Sequence, residues 1–564
     1  MLIRRIGQIG RTYRQIERYT EILSVLIKFG FGDLVAGLKV EQYLNIGRQI
    51  FFLPRKEKIE TLTRAVRVRM VLEELGPTFI KLGQMLSTRP DLLPAEFLEE
   101  LVKLQDDVAP FPFHEAQEIM AAELKRSPEK VFPRIETEPL AAASIAQVHR
   151  ARLADGEEVV IKVQRPGIRR VVEVDLEILL HLATLVERHL EGWDVYRPTK
   201  VVEEFGQSLE NEMDFSIEAA NMERFAALYR EDPNVYIPKV FREFTTPRVL
   251  TMEYVEGLRA GALDRLRQEG HDLRRIADLG ARMVLEQTLV FGFFHADPHP
   301  GNLMVLPGPA VCLLDMGMVG RLDRRTREDI VDLLLGLVER DPAAVVSALC
   351  RLTEWEEEPD RRALEREVSV FMDRHLNRPL KEMQLGGLLR QVFDAAIKFR
   401  LYLLPDLLLL IKALTTIEGL ARRLDPGLDL VAKAEPFVKK VQAERYHPHR
   451  LAGDLWDYGK ELLDILKEMP ADLRGLLRLA RNGKIKIEIE PLGWEHMRVT
   501  QDRTSNRLSF AIVLAGLIVG SSLVIQSGIP PTWHGIPVIG LAGYIVAGLM
   551  GFWLLITILR RGMM

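Results

Sequence analysis

Cysteine is nearly absent. Two thiols, Cys312 and Cys350, in 564 residues cannot build a disulfide framework, and they fit a reducing compartment or indifference to redox. Neither sign of charge is in excess: 76 Lys and Arg face 80 Asp and Glu, a formal net charge of −4. The basic surplus of a nucleic-acid binder is therefore missing. Repeats and low-complexity runs are lacking too, and an apolar content of 47% excludes a disordered or collagen-like chain. Length alone suggests roughly four domains of about 150 residues. A last absence is local: residues 508–559 contain no Asp, Glu, Lys or Arg.

That stretch accounts for a mean hydropathy of +0.01 in a chain with 28% charged residues. Pro530, Pro531 and Trp533 divide it into two segments, 509–529 and 536–559, each long enough for a hydrocarbon core that needs about 20 apolar residues. Arg503 and Arg507 flank the first segment, and Arg560 and Arg561 follow the second. The positive-inside rule then leaves both ends cytoplasmic and translocates the Pro-Pro-Thr-Trp loop. Gly516 and Gly520, with Gly540 and Tyr544 on the second segment, offer small-residue faces for close packing. The expectation is a multi-pass hairpin in the cell (inner) membrane that holds a large cytoplasmic body.

At the other end, Arg4, Arg5, Arg11, Arg14 and Arg18 recur among Ile6, Ile9, Ile16 and Leu23, the pattern of a basic amphipathic helix. It has neither the apolar core nor the small-residue cleavage site of a signal peptide. Two readings stay open: a helix on an anionic membrane surface, or one packed on the protein with solvated arginines.

Residues 59–108 read as helices. Gly76-Pro77 opens one and Arg89-Pro90 closes it, with Lys81 and Gln84 sharing a face. Pro110-Phe111-Pro112 is a linker to a helix over 114–124. Strands over 145–153 and 158–163 meet at Asp155-Gly156, a hairpin signal. Helices are expected over 169–190 and 200–229, and strands over 235–244 and 249–255. From 263 to the membrane helix dominates, apart from 311–314 and the alternating residues 484–489. A small β-rich unit followed by a helical one predicts a two-lobed α+β enzyme.

Four separated pieces carry chemistry. They are Val159-Val160-Ile161-Lys162 ending a strand, Glu218 on a helix expected over 210–229, the loop Phe294-His295-Ala296-Asp297-Pro298-His299-Pro300-Gly301-Asn302, and Asp315-Met316-Gly317 after an apolar strand. Singly, a strand lysine is usually solvated and a helical glutamate usually lies at the surface. In order they make the parts list of phosphoryl transfer. A lysine held by a glutamate neutralises phosphates, a loop aspartate serves the nucleophile, and an amide and a second aspartate hold magnesium. Protein kinases place Val-Ala-Ile-Lys, His-Arg-Asp with an Asn five residues on, and Asp-Phe-Gly in this order. A zinc site at His295, Asp297 and His299 would leave the Lys, Glu and Asp-Met-Gly pieces as coincidences. Gly30-Phe31-Gly32 is no dinucleotide fingerprint, and His447 and His449 read as surface residues.

Departures from an ordinary kinase are equally informative. Ala141, Ala142, Ala143 and Ser144 stand where a glycine-rich loop would precede the lysine, and alanine reaches positive φ less cheaply than glycine. No Ala-Pro-Glu follows Asp315; the chain passes through 318–321 into a helix opened by Asp323, leaving little activation segment for a protein substrate.

With these features the chain resembles the UbiB (aarF-domain-containing, ADCK) atypical kinase family over roughly residues 60–500. The resemblance rests on Lys81-Leu82-Gly83-Gln84 as its Lys-x-Gly-Gln motif, the alanine-rich loop, Glu212-Met213-Asp214 as its Glu-x-Asp motif, and the run from His295 to Asn302. Met316 replaces the Phe of most members with an apolar filler of similar size. The readings combine into an α+β, two-lobed protein-kinase-like fold with an N-terminal helical extension and a C-terminal transmembrane helical hairpin. Its parts are basic N-terminal helices at 1–58, the Lys-x-Gly-Gln extension at 59–133, an N-lobe at 134–256, a helical C-lobe at 257–500 and two membrane helices within 508–559.

The resemblance implies that Lys162 pairs with Glu218 and meets the α/β-phosphates of ATP, that Asn302 and Asp315 bind Mg2+, and that Asp297 takes the catalytic-base position. It places the adenine near Glu253, Tyr254 and Val255 behind Met252, and nucleotide beside Ala141, Ala142, Ala143 and Ser144. The Lys81/Gln84 helix would fold over the site, faced by Glu212 and Asp214, and occlude peptides. The implied activity is that of a Mg·ATP-dependent kinase or ATPase supporting isoprenoid-quinone (ubiquinone-like) or prenyl-lipid biosynthesis. Its partners would be ATP, a prenylated lipid or quinone precursor, the bilayer and quinone-biosynthesis proteins, with no nucleic acid. A nucleotide-switched pseudokinase scaffold for a membrane biosynthetic complex is the alternative, and a protein kinase ranks below both.

Overall fold

The computed structural model describes residues 13–38, 62–104, 108–375, 385–445 and 494–561, except 90, 91, 191, 194, 195, 309, 356, 357, 534 and 535, together with Trp456 and Lys460. Arg4, Arg5, Arg11, His447, His449 and the alternating residues 484–489 lie outside the described residues. The chain divides into two compact units, Met1–Asp454 and Leu455–Met564.

The first unit contains an antiparallel sheet in the order β1 (Arg134–Ile135), β3 (Ala146–Arg152), β4 (Glu158–Gln164) and β6 (Val249–Glu253), with β2 (Ala141–Ala142) also paired to β3. The expected hairpin is β3–β4, closed by Arg152 opposite Glu158, and Gly156 supplies the positive φ of the turn. The period of two then sorts β4 by face. Val159, Ile161 and Val163 are fully buried and share a core with Ala116, Ile119 and Met120 of the helix Phe113–Leu124. Lys162 therefore lies on the opposite face, with Val148 and Leu250 as its register partners.

Two expectations in this region are corrected. The helix expected over 200–229 is two helices, Pro198–Glu212 and Phe215–Leu228, because Asp214 turns to extended backbone and caps the second one. The strand expected over 235–244 shrinks to β5 (Val235–Tyr236), with Pro238 soon after it and a single 3-10 turn at Arg242–Phe244. Moreover β5 pairs in parallel with β10 (Val311–Leu313), so it joins a second sheet, ordered β5, β10, β9 (Leu303–Val305) and β7 (Leu258–Arg259). A separate pair, β8 (Phe293–His295) and β11 (Val319–Arg321), flanks the loop from Ala296 to Asn302 and the Asp315-Met316-Gly317 turn. These pieces of two or three residues are too short to show alternation in sequence, and β8, β9 and β11 lie in the stretch expected to be helical.

Helices supply the rest. Leu273–Leu285 packs against Pro405–Leu424, with Ile417 close over Gly280. Asp323 caps Arg324–Glu339, and Asp341 caps Pro342–Leu352. The described part of the basic N-terminal helix, Tyr13–Lys28, packs on the body. Tyr19, Ile22, Leu23, Val25 and Ile27 are buried, and Arg18 is bound to Asp175 at 2.8 Å and to the Leu75 carbonyl at 2.7 Å. Arg18 is thus an internal anchor and not a lipid-facing charge.

The second unit pairs the helices Trp494–Ser527 and Val538–Arg561 around a short ladder that sets Thr532 opposite Pro537. Among the described residues one helix, Leu508–Ser527, is long and apolar enough to cross a membrane; the second is apolar over the shorter span Val538–Trp553. The close approach is at Gly540 and Gly543, where a Cβ would meet Ile525 and Ser521, and Ser522 lies 2.5 Å from the Tyr544 hydroxyl. Gly516 and Gly520 are not part of that contact: a Cβ on either meets no atom within 4 Å.

Candidate nucleotide site

Lys162 projects from β4 toward the first turn of Phe215–Leu228. That turn is fixed from both sides. Asp214 accepts from the Ser216 amide at 3.0 Å, and the Phe215 amide donates to the Pro247 carbonyl at 3.0 Å. Glu218 is consequently buried with its carboxylate at the lysine, at 2.9 and 3.1 Å. The same ammonium lies 3.7 Å from Asp315 and 5.3 Å from the centre of the Phe215 ring. Burial opposes the charge on Lys162, but Asp315 and Glu218 together hold the ammonium well above the ordinary lysine range. In return Lys162, against the effect of burial, holds the Asp315 carboxyl below the usual carboxylate range.

The loop after β8 is organised by a histidine. His295 is fully buried; its Nδ1 accepts from the Asp297 amide at 3.2 Å and its Nε2 donates to the Leu314 carbonyl at 3.3 Å. Burial keeps the ring below its ordinary pKa, in keeping with a neutral imidazole whose proton sits on Nε2. The Asn302 side chain donates to the Asp297 carbonyl at 3.1 Å, and the Asn302 carbonyl accepts from the Leu314 amide at 2.8 Å. Asp297 and Asn302 are thereby tied to the strand that ends just before Asp315. Asp315 has φ +52°, a left-handed conformation that Asp tolerates better than most residues, and its Oδ1 accepts from the Gly317 amide at 3.2 Å.

Zinc does not fit the alternating histidines: both ring nitrogens of His295 serve backbone groups, and His299 Nδ1 accepts from the Gly301 amide. Among the described residues no cluster of three His, Cys, Asp or Glu is arranged to hold a metal. The Asp315 carboxylate and the Asn302 amide oxygen, left free when Nδ2 donates to Asp297, are hard oxygen donors. They suit Mg2+, which takes one or two protein ligands and fills its shell with phosphates and water.

The other predicted residues are placed less uniformly. Ala141 and Ala142 form β2 opposite Val148 and Gln147, and Ala143 and Ser144 turn into β3, with the Ala143 carbonyl bound by Arg165 at 2.8 Å. None of the four has a positive φ, so this backbone has no need of glycine. At the end of β6 the Glu253 carboxylate accepts from the Tyr236 hydroxyl at 2.7 Å and from the Lys239 amide at 3.1 Å. The Tyr254 amide then binds the Glu158 carbonyl at 3.0 Å, and Val255 follows half-buried. Lys81, on the helix Pro77–Leu86, meets Glu212 at 2.6 Å. Gln84 instead donates to the Leu104 carbonyl at 3.3 Å, and Asp214 serves as a helix cap. Of the motif residues expected to face one another, Lys81 and Glu212 are brought together; Gln84 and Asp214 turn to other partners.

Two residues escaped the sequence reading. Asn221 donates to the Met316 carbonyl at 3.0 Å, tying the Glu218 helix to Asp-Met-Gly. Its position one turn after Glu218 was a usable signal. Lys412, on Pro405–Leu424, lies 3.3 Å from Asp297 Oδ2, and only the fold reveals it.

An ordered set of Lys, Glu, Asp, Asn and Asp between a five-stranded sheet and a helical lobe defines a kinase-like domain of atypical build. Residues 103–349 match the ABC1 atypical kinase-like domain, 368–429 the UbiB helical domain, and 492–560 the ABC1/UbiB kinase-like C-terminal domain. A "Probable protein kinase UbiB" from Cellvibrio japonicus (strain Ueda107) is 35% identical over 511 residues, covering 89% of this chain and 92% of that protein. Another of that name, from Xanthomonas campestris pv. campestris (strain B100), is 33% identical over 97% of this chain and 100% of its own. An "Uncharacterized protein in hydrogenase 1 5'region" from Clostridium pasteurianum is 32% identical over 97% and 99%. Among solved structures, the complex of Rv3197 with erythromycin from Mycobacterium tuberculosis covers 63% of this chain and 94% of its own, at 23% identity and a TM-score of 0.40. The chain belongs to the UbiB (aarF-domain-containing, ADCK) atypical kinase family.

Proposed function

We propose that this chain is a Mg·ATP-dependent atypical kinase or ATPase that works at the cell inner membrane in isoprenoid-quinone or prenyl-lipid biosynthesis. The observation that carries this reading is the buried Lys162–Glu218 pair beside Asp315, with Asp297 and Asn302 tied to the strand leading into it. Lys162 meets the α- and β-phosphates, and Asp297 receives the proton of the attacking hydroxyl or water. Asn302 and Asp315 would hold Mg2+, which when bound neutralises charge on the β- and γ-phosphates. Adenine lies against Glu253, Tyr254 and Val255, and the Ala141–Ala142 strand with Ala143 and Ser144 borders the nucleotide.

A lipid or water acceptor is favoured over a peptide by two features. Asp-Met-Gly runs directly into β11 and the helix capped by Asp323, and the Lys81–Glu212 contact ties the extension beside the site. The uncharged residues 508–559, with arginines at both ends, support a membrane-bound chain whose body stays cytoplasmic and whose acceptor, a prenylated precursor, resides in the bilayer. Proteins of quinone biosynthesis are the partners this implies.

Calorimetry on the purified chain should show Mg·ATP binding that Asp315→Asn abolishes; unchanged binding would remove the metal assignment. Asp297→Asn separates enzyme from scaffold. An enzyme keeps nucleotide binding but loses turnover and fails to complement a deletion strain, whereas a nucleotide-switched scaffold still complements.

A further inference from the structure

We infer that Lys412 is a positioning residue of the active site, contributed by the helical domain to the catalytic loop of the kinase-like domain. The inference rests on the phosphoryl-transfer reading above and adds a residue to it.

Lys412 interrupts an apolar helix. Leu407, Leu408, Leu410, Ile411, Ala413 and Leu414 around it are all buried, and a lysine in such surroundings either extends to water or finds a partner. Its side chain is 22% exposed and its Nζ lies 3.3 Å from Asp297 Oδ2, with Met318 Sδ at 3.9 Å. It therefore sits between the catalytic-base aspartate and the segment that follows Asp-Met-Gly. The helix has little freedom to shift: the Arg321 amide of β11 donates to Asp406 in its first turn at 3.0 Å, and Ile417 packs on Gly280. The family match divides the two partners between domains, with Asp297 inside 103–349 and Lys412 inside 368–429. The kinase-like segment alone would leave Asp297 without this contact.

In the reaction, a bond forms between the nucleophile oxygen and Pγ as the bond from Pγ to the β-phosphate oxygen breaks. The electron pair of the broken bond stays on ADP, and the nucleophile's proton passes to Asp297. With Oδ2 held by Lys412, Oδ1 is the oxygen presented to that proton. The orientation is set before substrate arrives, which is how a positioning contact accelerates transfer. The ammonium also brings positive charge to the place where the phosphoryl group and nucleophile meet.

The test is steady-state ATP turnover and Mg·ADP calorimetry on the full-length protein with Lys412→Met, Lys412→Arg and Asp297→Asn. Lys412→Met should lower kcat by about ten- to a hundredfold while KM for ATP and Kd for Mg·ADP stay within about threefold. Lys412→Arg should restore most of the loss. The double variant Lys412→Met/Asp297→Asn should be no slower than Asp297→Asn alone. A kcat within twofold of wild type, or losses that multiply in the double variant, would overturn the inference while the phosphoryl-transfer reading stands. Wild-type protein that neither binds nor turns over Mg·ATP would overturn both. If Lys412→Met does not fold, Lys412→Gln provides the same comparison.

Discussion

His149 stands in the middle of β3 with no exposed surface, donating from Nδ1 to the Glu136 carbonyl and accepting at Nε2 from the Gln147 side chain. Burial depresses its pKa below 6.5, with the carbonyl contact opposing the shift. The unfolded chain therefore binds this proton more readily than the fold does. Its contribution to stability is present above about pH 6.5 and is lost as pH falls through the folded value. Urea titrations at pH 7.5 and 5 should show wild type losing more stability than His149→Gln; equal losses would acquit the histidine. Residue identity made Lys162, Asp297, Asn302 and Asp315 legible because their order and spacing belong to one chemistry. It could not expose Lys412, whose neighbours in sequence are apolar and whose partner is far away along the chain.

Elements are positioned by steric detail that single residues impose. Gly83, the glycine of the Lys-x-Gly-Gln motif, has no conformational role: its helix needs no positive φ there. A Cβ at this position would lie 2.3 Å from Leu104 and 2.7 Å from Leu72, both buried leucines. Gly83→Ala should cost about 1–3 kcal/mol by overpacking, read as a lower urea midpoint, and should loosen the helix that presents Lys81 to Glu212. A variant as stable as wild type would show that the leucines yield freely. The hairpin β3–β4 was legible from its turn signal and alternation. The break at 213–214 was not, since Glu212-Met213-Asp214 continues a helical pattern and only the capping hydrogen bond reveals the stop. The strands β7, β8 and β11 are held by partners distant in sequence, and no local period announces them.

For the molecule as a whole, the second unit presents an apolar surface. Leu508, Ile512, Val513, Leu523, Leu549, Phe552 and Trp553 are all exposed, a surface suited to lipid. In the proposed topology the loop at Thr532 is translocated, so Thr532→Cys in intact cells should react with a membrane-impermeant maleimide. Labelling that requires lysis would reverse that topology.

The charge-free segment, the β3–β4 hairpin and the ordered Lys, Glu, Asp, Asn and Asp follow from the sequence by itself, because hydropathy, short-range turn chemistry and motif spacing are local properties of the chain. The pairing of β5 with β10, the tautomer of His295, the anchoring of Arg18 on Asp175 and the meeting of Lys412 with Asp297 were decided by tertiary structure. Each depends on contacts between residues remote in sequence, whose energies exist only once burial has excluded water and fixed the partners.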